Sequence, residues 1–342
     1  MSILLTAIGI SLLIILHELG HYTVARLCGM RVLRFSFGLG PAIWRWQKGD
    51  TTWQIAALPL GGFVQVQGLA PTEPGAEAAP VDEHGYRERP RWQRALFLFA
   101  GPAANWLLAA FFIFLLLSSV GFEQFDPNST VVGEVIAGKP AESAGILEGD
   151  RIVSVDGAEV ASWADVVSAV STRPNQSLKL SVDRLGKTME LTVTTRENDQ
   201  GGGEIGVAPK GETLRLDPFH ALLAGFAGAW SVTEDQARLL WGLVRGAEKG
   251  RMSGLPGIVK MVSTQAHRGM RYLLQALAYL SVSLSLLNLL PIPALDGSRI
   301  LLLGVEAVRR RPLNPKAEAV IHGLGFLVLL ALLIVVSIRD LL

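Results

Sequence analysis

Residues 8–21 of the sequence read IGISLLIILHELGH, so two histidines and a glutamate stand inside a strongly apolar run. The run from Ser2 to Ala25 carries one formal charge, Glu18. At ~1.5 Å per residue a helix of this length extends about 36 Å, which is enough to cross a hydrocarbon core of about 30 Å. The start lacks the basic residue of a signal peptide, and no small-residue cleavage site follows. The sequence therefore predicts a transmembrane helix.

His17, Glu18 and His21 form the pattern HExxH in this helix. Positions i and i+4 share one helical face, so both imidazoles can reach one metal ion. Neutral imidazole is a good zinc ligand, and a glutamate beside the first ligand can take a proton from water. The alternative is a satisfied polar core. Polar groups within a span are costly unless they have partners, and the pattern therefore favours a zinc site.

The composition of the 342 residues points to the same environment. Hydrophobic residues make up 50% and charged residues 18%, against a usual share of about 25%, which leaves a membrane protein or an unusually large soluble core. The net charge of +1 gives no basic field for nucleic acid, and the one cysteine excludes an internal disulfide framework. Further apolar runs at Ala95–Val120, roughly Tyr272–Leu303 and Ala319–Ile338 bring the predicted number of spans to four.

A stretch of ordinary composition interrupts these runs. The segment Glu123–Arg215 holds 24 of the 61 charged residues, and its apolar residues alternate with polar ones, as in Leu178-Lys179-Leu180-Ser181-Val182-Asp183. Alternation of this kind is typical of half-buried strands. The sequence predicts a soluble α+β domain at 121–215, inserted between the second and third spans.

Basic residues near the span ends predict the orientation in the membrane. The loop after the first span is rich in arginine, and Arg309–Arg311 precede the fourth span, so both loops are expected in the cytoplasm. The termini and the inserted domain are then extracytoplasmic. The apolar stretch Phe219–Val244 contains three charges, which favours an amphipathic helix at the outer interface, within a region 216–268, over a fifth span.

Residues 31–68 read as short strands around a turn at Lys48-Gly49-Asp50. Unpaired strand edges cannot face lipid, so this membrane-associated β-hairpin region is expected to dip in against protein or a water-filled cavity. Residues 69–94 are predicted to be a cytoplasmic linker, with a Pro- and Ala-rich part at Pro71–Pro80.

A third zinc ligand is expected from the region 269–342, which contains the third and fourth predicted spans. Asp296 follows Pro291 and Pro293, which cannot continue a regular helix, and precedes Gly297. Broken helices at membrane depth are tolerated where they line a cavity. The predicted topology places Asp296 at the depth of the two histidines of the first span.

The sequence contains three motifs in this order: HELGH at 17–21, AGPAAN at 100–105 and NLLPIPALDG at 288–297. Together they resemble the site-2 protease family, and more closely its bacterial sigma-E-regulating intramembrane zinc proteases. The resemblance implies that His17, His21 and Asp296 bind Zn²⁺, that Glu18 is the catalytic acid/base, and that Asn288 holds the substrate strand or the oxyanion.

Further segments extend this resemblance. The segment Leu58–Phe63 fits it, and the segments Val131–Val135, Lys139–Ile152 and Val155–Gly157 resemble a bacterial PDZ domain. One PDZ domain is found where the family often has two. Such a domain would tether a peptide or substrate tail, or exclude a substrate until its outer part is shortened; a PDZ fold with a degenerate groove is the alternative. A substrate must unwind before cleavage, and we expect it to pair with an edge of the hairpin, where Gly61 and Gly62 are candidate substrate-binding residues. The alternative is a packing or re-entrant element with no substrate contact.

The resulting prediction is a polytopic α-helical membrane protein of the bacterial cytoplasmic (inner) membrane with an inserted PDZ domain. It would be an intramembrane zinc metalloprotease whose site lies toward the cytoplasmic side. Its partners would be the lipid bilayer and single-pass membrane proteins, and the resemblance implies anti-sigma factors or signal-peptide remnants. A PDZ-bearing scaffold with a non-catalytic metal site and an ion transporter are the alternatives.

Overall fold

The computed structural model describes residues 2–69, 83–198, 201–246 and 254–341, and the predicted linker Pro71–Pro80 lies outside them. The chain divides into two compact units. Unit 1 comprises Met1–Val120 with Leu216–Leu342, and unit 2 comprises Gly121–Arg215.

The α-helices of the described residues are α1 (Ser2–Leu27), α2 (Arg91–Leu115), α3 (Pro140–Ser143), α4 (Trp163–Ser171), α5 (Pro218–Val244), α6 (Leu255–Arg268), α7 (Met270–Leu289), α8 (Asp296–Arg309) and α9 (Pro315–Leu341), and a π-helical turn, Leu116–Val120, extends α2. The strands are β1 (Val32–Lys48), β2 (Thr51–Val66), β3 (Phe122–Phe125), β4 (Val132–Val135), β5 (Arg151–Val155), β6 (Ala158–Glu159), β7 (Ser177–Arg184), β8 (Lys187–Thr194), β9 (Arg196–Glu197), β10 (Gly203–Glu204), β11 (Val207–Pro209) and β12 (Gly211–Leu214).

Four segments of unit 1 are helical, long and apolar enough to cross a membrane: Leu5–Leu27, Arg91–Val120, Met270–Leu289 and Lys316–Asp340. They match the four predicted runs in order. The third differs in extent, because the run Tyr272–Leu303 is not one helix. The two prolines end α7 at Leu289, and α8 starts afresh at Asp296.

Helix α2 lies between α1 and α7 in the core of unit 1, which includes Leu13, Ala109, Leu277 and Val282. Hydrogen bonds reinforce this packing, because the hydroxyls of two buried serines of α7 donate to main-chain carbonyls of α2. Ser281 donates to Asn105 at 2.7 Å, and Ser285 donates to Pro102 at 2.8 Å. Interhelical bonds of this kind are expected where no water can satisfy a hydroxyl.

Helix α5 packs antiparallel against α2. The Leu216 N–H donates to the Leu117 carbonyl at 2.9 Å where the chain re-enters unit 1, and further along Trp106 donates to Thr233 at 3.1 Å. Gln236 then reaches α7 by donating to the Tyr279 carbonyl at 3.0 Å. The predicted amphipathic region 216–268 thus contains two helices, of which α5 packs along the membrane-length helices. Its place at the outer interface stays a prediction.

Strands β1 and β2 form one folded sheet, in which residues 44–48 pair with 51–55 in antiparallel order. Residues 34–37 pair with 62–65 in antiparallel order and with 52–55 in parallel order. Residues 34–37 have partners on both sides, as Phe35 pairs with Val64 and with Trp53. Phe35 and Trp53 stack with ring centroids 4.6 Å apart, and Tyr22 of α1 contacts both rings. This aromatic packing fixes the sheet against the helix that carries HExxH.

Unit 2 contains a four-stranded sheet of order β6-β5-β7-β8 and two-stranded pairs that include β11 with β4. Helix α4 begins at a capping box, in which Ser162 and Asp165 satisfy each other's backbone N–H groups. The core of this unit includes Ile152, Val166 and Leu180. Strand β3 pairs with β12, so the two ends of the unit lie side by side.

We expect unit 2 to lose stability in acid through Asp150. This side chain is 1% exposed and accepts hydrogen bonds from the Arg184 guanidinium at 2.7 Å, which hold the pKa of Asp150 below its usual value. The carboxylate therefore stabilises the fold at pH above the ordinary aspartate pKa of about 3.9, and this contribution is lost as the pH falls through the lowered value.

Asp150→Asn should lower the Tm of the fragment 121–215 by about 5–10 °C at pH 7, because it removes a charge-assisted hydrogen bond. Circular dichroism melts between pH 7 and pH 2 measure the effect. The difference between the variant and the wild type should shrink as the pH falls. A difference that is constant over this range would show that the ionised carboxylate contributes nothing.

Candidate metal centre

Three side-chain atoms from two separate helices meet in unit 1. The Nε2 atoms of His17 and His21 lie 3.3 Å from each other, and each lies 3.3 Å from Oδ2 of Asp296. Among the described residues these three form the one group of histidine, cysteine and carboxylate side chains suited to hold a metal ion. The structure thus brings together the three residues that the sequence proposed as ligands.

The spacing of these atoms fits zinc. A regular tetrahedron with edges of 3.3 Å has its centre about 2.0 Å from each corner, which is close to Zn–N and Zn–O distances of about 2.0–2.2 Å. Two imidazoles and one carboxylate are donors that zinc accepts, and three protein ligands leave the fourth corner free, as in catalytic zinc sites.

His21 is held in the form that a metal ligand requires. Its Nδ1 lies 2.8 Å from the carbonyl oxygen of Phe97 in α2, to which it donates. This bond keeps the proton on Nδ1 and leaves the lone pair of Nε2 directed toward Asp296 and His17.

His17 has a comparable neighbour in Asn105, whose side-chain amide nitrogen lies 3.3 Å from Nδ1 of His17. The amide oxygen of Asn105 is buried and has no hydrogen-bond partner among the described residues. A His17 that binds metal through Nε2 carries its proton on Nδ1 and needs an acceptor. A half-turn of the amide supplies that acceptor, because it places the oxygen of Asn105 beside Nδ1.

Asn105→Leu should weaken zinc binding about 10–100-fold, since it removes the acceptor that fixes the His17 ring. Asn105→Asp keeps an acceptor at the same place and should retain zinc. Chelator competition on the purified protein measures both affinities. Equal losses in the two variants would show that Asn105 does not act through a hydrogen bond to His17.

Close approach of α1 and α2 depends on two glycines. A Cβ on Gly20 would lie 2.4 Å from the Ala100 carbonyl oxygen, and a Cβ on Gly101 would lie 2.2 Å from Nε2 of His21. Small residues at a helix interface allow backbones to approach in this way. Gly101 therefore leaves the space in which the two imidazoles meet.

Glu18 lies beside the three donor atoms and interacts electrostatically with all of them, and its carboxylate accepts a hydrogen bond from the Val64 N–H of β2. A Cβ on Gly62 would lie 3.2 Å from Cγ of Glu18 and 2.8 Å from the Ser36 carbonyl oxygen. The predicted substrate-binding residue Gly62 therefore stands directly against Glu18. Gly61, its neighbour, adopts a φ of 112°, which favours glycine.

Asp296 is the first residue of α8, and two contacts fix this helix. A Cβ on Gly297 would lie 2.2 Å from the Leu289 carbonyl oxygen, so α8 starts directly against the end of α7. Near the other end of α8, the buried Glu306 forms an ion pair with Arg94 of α2 at 2.8 Å. The carboxylate of Asp296 is thereby held against the same helix that supports both histidines.

Asn288 lies in the last turn of α7. Within the described residues its side chain makes no hydrogen bond to the three donor atoms or to Glu18. Its predicted role in substrate binding stays a prediction. Sequence reasoning gave no role to Asn105, although the residue belongs to the AGPAAN motif, and its polar side chain within an apolar span was the available signal.

A donor set of two helical histidines and an aspartate, with a glutamate beside it, lies among helices of membrane length. This combination defines a membrane-embedded metalloprotease. The chain belongs to peptidase family M50, whose model matches residues 5–332. It is a zinc metalloprotease of the site-2 protease type and a multi-pass membrane protein.

Its relatives match it over nearly their whole length. Metalloprotease MmpA of Caulobacter vibrioides is 33% identical over 97% of this chain and 93% of its own. The regulator of sigma-W protease RasP of Bacillus subtilis is 30% identical over 96% of this chain and 95% of its own. Among solved structures, the PDZ domain of an SdrC-like protein from Listeria innocua aligns with 24% of this chain and 92% of its own, at 24% identity and a TM-score of 0.22.

Proposed function

We propose that this protein hydrolyses a peptide bond within or near the transmembrane segment of single-pass membrane proteins. The observation that carries the proposal is the position of the three donor atoms and Glu18 among helices of membrane length. Polar groups at such depth are retained for function when they converge on one site. The substrates implied by the family resemblance are anti-sigma factors or signal-peptide remnants.

The side chains divide the chemistry between them. His17, His21 and Asp296 would hold zinc, which when bound polarises a carbonyl and makes water more acidic. Glu18 takes a proton from the attacking water as the new C–O bond forms, and gives that proton to the leaving nitrogen as the C–N bond breaks. The products are a carboxylic acid and an amine, and the proton of the acid passes to the amine to give a carboxylate and an ammonium group. The Val64 N–H orients the Glu18 carboxylate for both transfers.

The strand at 62–66 offers the substrate a place beside Glu18. Its inner side pairs with residues 34–37, while the Val64 N–H points away from that pairing, toward Glu18. Peptide bonds in a helix are shielded by the hydrogen bonds of the helix, so a helical substrate must unwind around the bond that is cleaved. The unwound segment then pairs with this edge as an added strand, and the absence of a side chain on Gly62 lets the strand lie directly against Glu18.

Val64→Pro should lower the cleavage rate at least about 100-fold while leaving the zinc content unchanged, since proline removes the N–H that orients Glu18 and distorts the strand edge at which the substrate is proposed to pair. Single-turnover cleavage and elemental analysis measure the two quantities.

Arg45→Pro is the matched control for Val64→Pro. It lies on the opposite side of the sheet, and the pairing of Lys48 with Thr51 directs the Arg45 N–H outward, so no ladder bond is lost. A Val64→Pro variant as active as the wild type, or an Arg45→Pro variant as inactive as Val64→Pro, would contradict the proposed strand addition.

Unit 2 is proposed to be a PDZ domain on the extracytoplasmic side of the inner membrane, together with both termini. A cavity of about 650 Å³ lies along α4 and is lined by residues that include Phe125, Trp163, Val167 and Pro209. An extended substrate tail could pair with β11 beside this cavity. Unit 2 would thereby tether substrates or exclude those with a large outer part.

The decisive experiment incubates the purified protein in sealed vesicles with a model transmembrane substrate, with and without a zinc chelator. We expect a cut peptide that disappears with chelator and returns on adding zinc. A scaffold with a structural metal would give no cut peptide, and a transporter would give ion flux across the vesicle without cleavage. Either result would overturn the proposal.

A further inference from the structure

Helix α9 contacts the loop that precedes Asp296 through a fully buried histidine. The Ala294 N–H donates to Nδ1 of His322 at 3.2 Å. The Ser298 hydroxyl lies 3.5 Å from the same nitrogen, while its shorter bond of 2.7 Å goes to the Leu295 carbonyl. Sequence reasoning gave His322 no role in the site.

A second contact lies one helical turn further on. A Cβ on Gly325 would lie 2.2 Å from Cβ of Pro293 and 2.8 Å from its carbonyl carbon. Residues at i and i+3 share a helical face, so His322 and Gly325 together present one surface of α9 to Pro293 and Ala294.

The backbone at this contact is in a conformation that needs support. Ala294 has a φ of 77°, which L-residues other than glycine rarely adopt and which persists only where the surroundings fix it. The residue lies two positions before Asp296, so a relaxation of its φ would redirect the start of α8 and the carboxylate it carries.

The histidine itself is an unexpected choice for simple packing. Its Nε2 is buried and has no hydrogen-bond partner among the described residues. Burying an unsatisfied polar atom is unfavourable, and a leucine of similar size would avoid it. The His322 side chain therefore contributes a hydrogen-bond acceptor for the Ala294 N–H, which an apolar side chain cannot supply.

We propose that His322 is a positioning residue, which holds the Pro293–Ala294 turn so that Asp296 meets the two histidines. The inference rests on the proposed role of Asp296 as a zinc ligand. His322 acts through the backbone of Ala294 and touches neither the metal nor the substrate.

The test compares the zinc affinity of the full-length protein in detergent, by chelator competition, for two variants. His322→Leu removes the acceptor and should weaken zinc binding about 10–100-fold. His322→Asn places an amide oxygen at the same distance along the side chain as Nδ1 and should restore most of the affinity. Rescue by asparagine separates positioning from packing, because asparagine is smaller than histidine.

Two glycines of α9 allow a second, independent test of the contact with Pro293. Gly325→Ala should also weaken zinc binding, since its methyl group would displace Pro293. Gly323→Ala is the matched control, because a Cβ on Gly323 meets nothing within 4 Å. It should bind zinc like the wild type.

Wild-type zinc affinity in His322→Leu would overturn the inference, as would equal losses in His322→Leu and His322→Asn. Asp296→Ala, measured in parallel, tests the underlying assignment. If this variant loses zinc while His322→Leu keeps it, only the role of His322 fails. If Asp296→Ala keeps zinc, the proposed ligand set fails and the positioning role fails with it.

Discussion

Glu18→Gln should abolish cleavage of a transmembrane substrate while the protein keeps its zinc. Glutamine preserves the size of the side chain and cannot take a proton from water. General acid–base catalysis by one side chain contributes about 10²–10⁴-fold, and Glu18 serves both transfers, so a loss near the upper end of this range is expected. Single-turnover cleavage gives the rate, and elemental analysis gives the zinc content.

Glu234→Gln provides the control, because this exposed glutamate of α5 lies outside the metal centre. It should cleave at the wild-type rate. Two results would contradict the assignment of Glu18. Cleavage at an unchanged rate would remove it from the reaction, and loss of zinc would make it a ligand.

Gly101→Ala should abolish zinc binding and, with it, cleavage. The added methyl group would lie 2.2 Å from Nε2 of His21 and 2.7 Å from Nε2 of His17, which is far inside van der Waals contact with both ligating atoms. Neither imidazole can move away from the methyl group without leaving the other donor atoms. His21 is further restrained by the hydrogen bond from its Nδ1 to the Phe97 carbonyl. Zinc content after purification, and the yield of folded protein, measure the effect.

Gly304→Ala in α8 is the matched substitution, since a Cβ there meets nothing within 4 Å. It should leave zinc content unchanged. A Gly101→Ala protein that folds and retains full zinc would show that the two imidazoles do not meet at this position on α2.

The three side chains that meet at the candidate metal centre, and Glu18 beside them, could be singled out from the sequence for a physical reason. Charged and polar side chains are scarce in apolar spans, so His17, Glu18 and His21 stand out, and their i, i+4 spacing already defines one face. Asp296 stood out because the neighbouring prolines break a helix at membrane depth. Each of these signals is local to a few residues.

The groups that form hydrogen bonds to His21 and Glu18 could not be predicted from the sequence in this way. The bond from His21 to Phe97 joins residues 76 positions apart and ends on a backbone carbonyl, which every residue type possesses. The same holds for the Val64 N–H at Glu18. Such contacts depend on how helices and strands pack, and hydrophobic periodicity reports which face is buried without naming the element that covers it.

Helix α5 illustrates this limit of periodicity. Its charges argued against a span, and its apolar face indicated burial, yet the pattern did not name α2 and α7 as its partners. The third span was predicted too long, as Tyr272–Leu303, although the prolines within it already predicted a break in the helix. Hydropathy averages over the break at Pro291 and Pro293, whereas the backbone there must stop one helix and start another.

The pairing of β3 with β12 gives unit 2 the properties of an exchangeable module. Its first and last strands are neighbours, as Phe122 pairs with Leu214, so the chain leaves and returns at one place. Within unit 1, the backbone hydrogen bond from Leu216 to Leu117 also holds the segments before and after the module close together. Evolution can therefore lengthen, duplicate or replace the module without moving the helices that carry His17, His21 and Asp296, and the proposed tethering of substrate tails can change separately from the proposed chemistry.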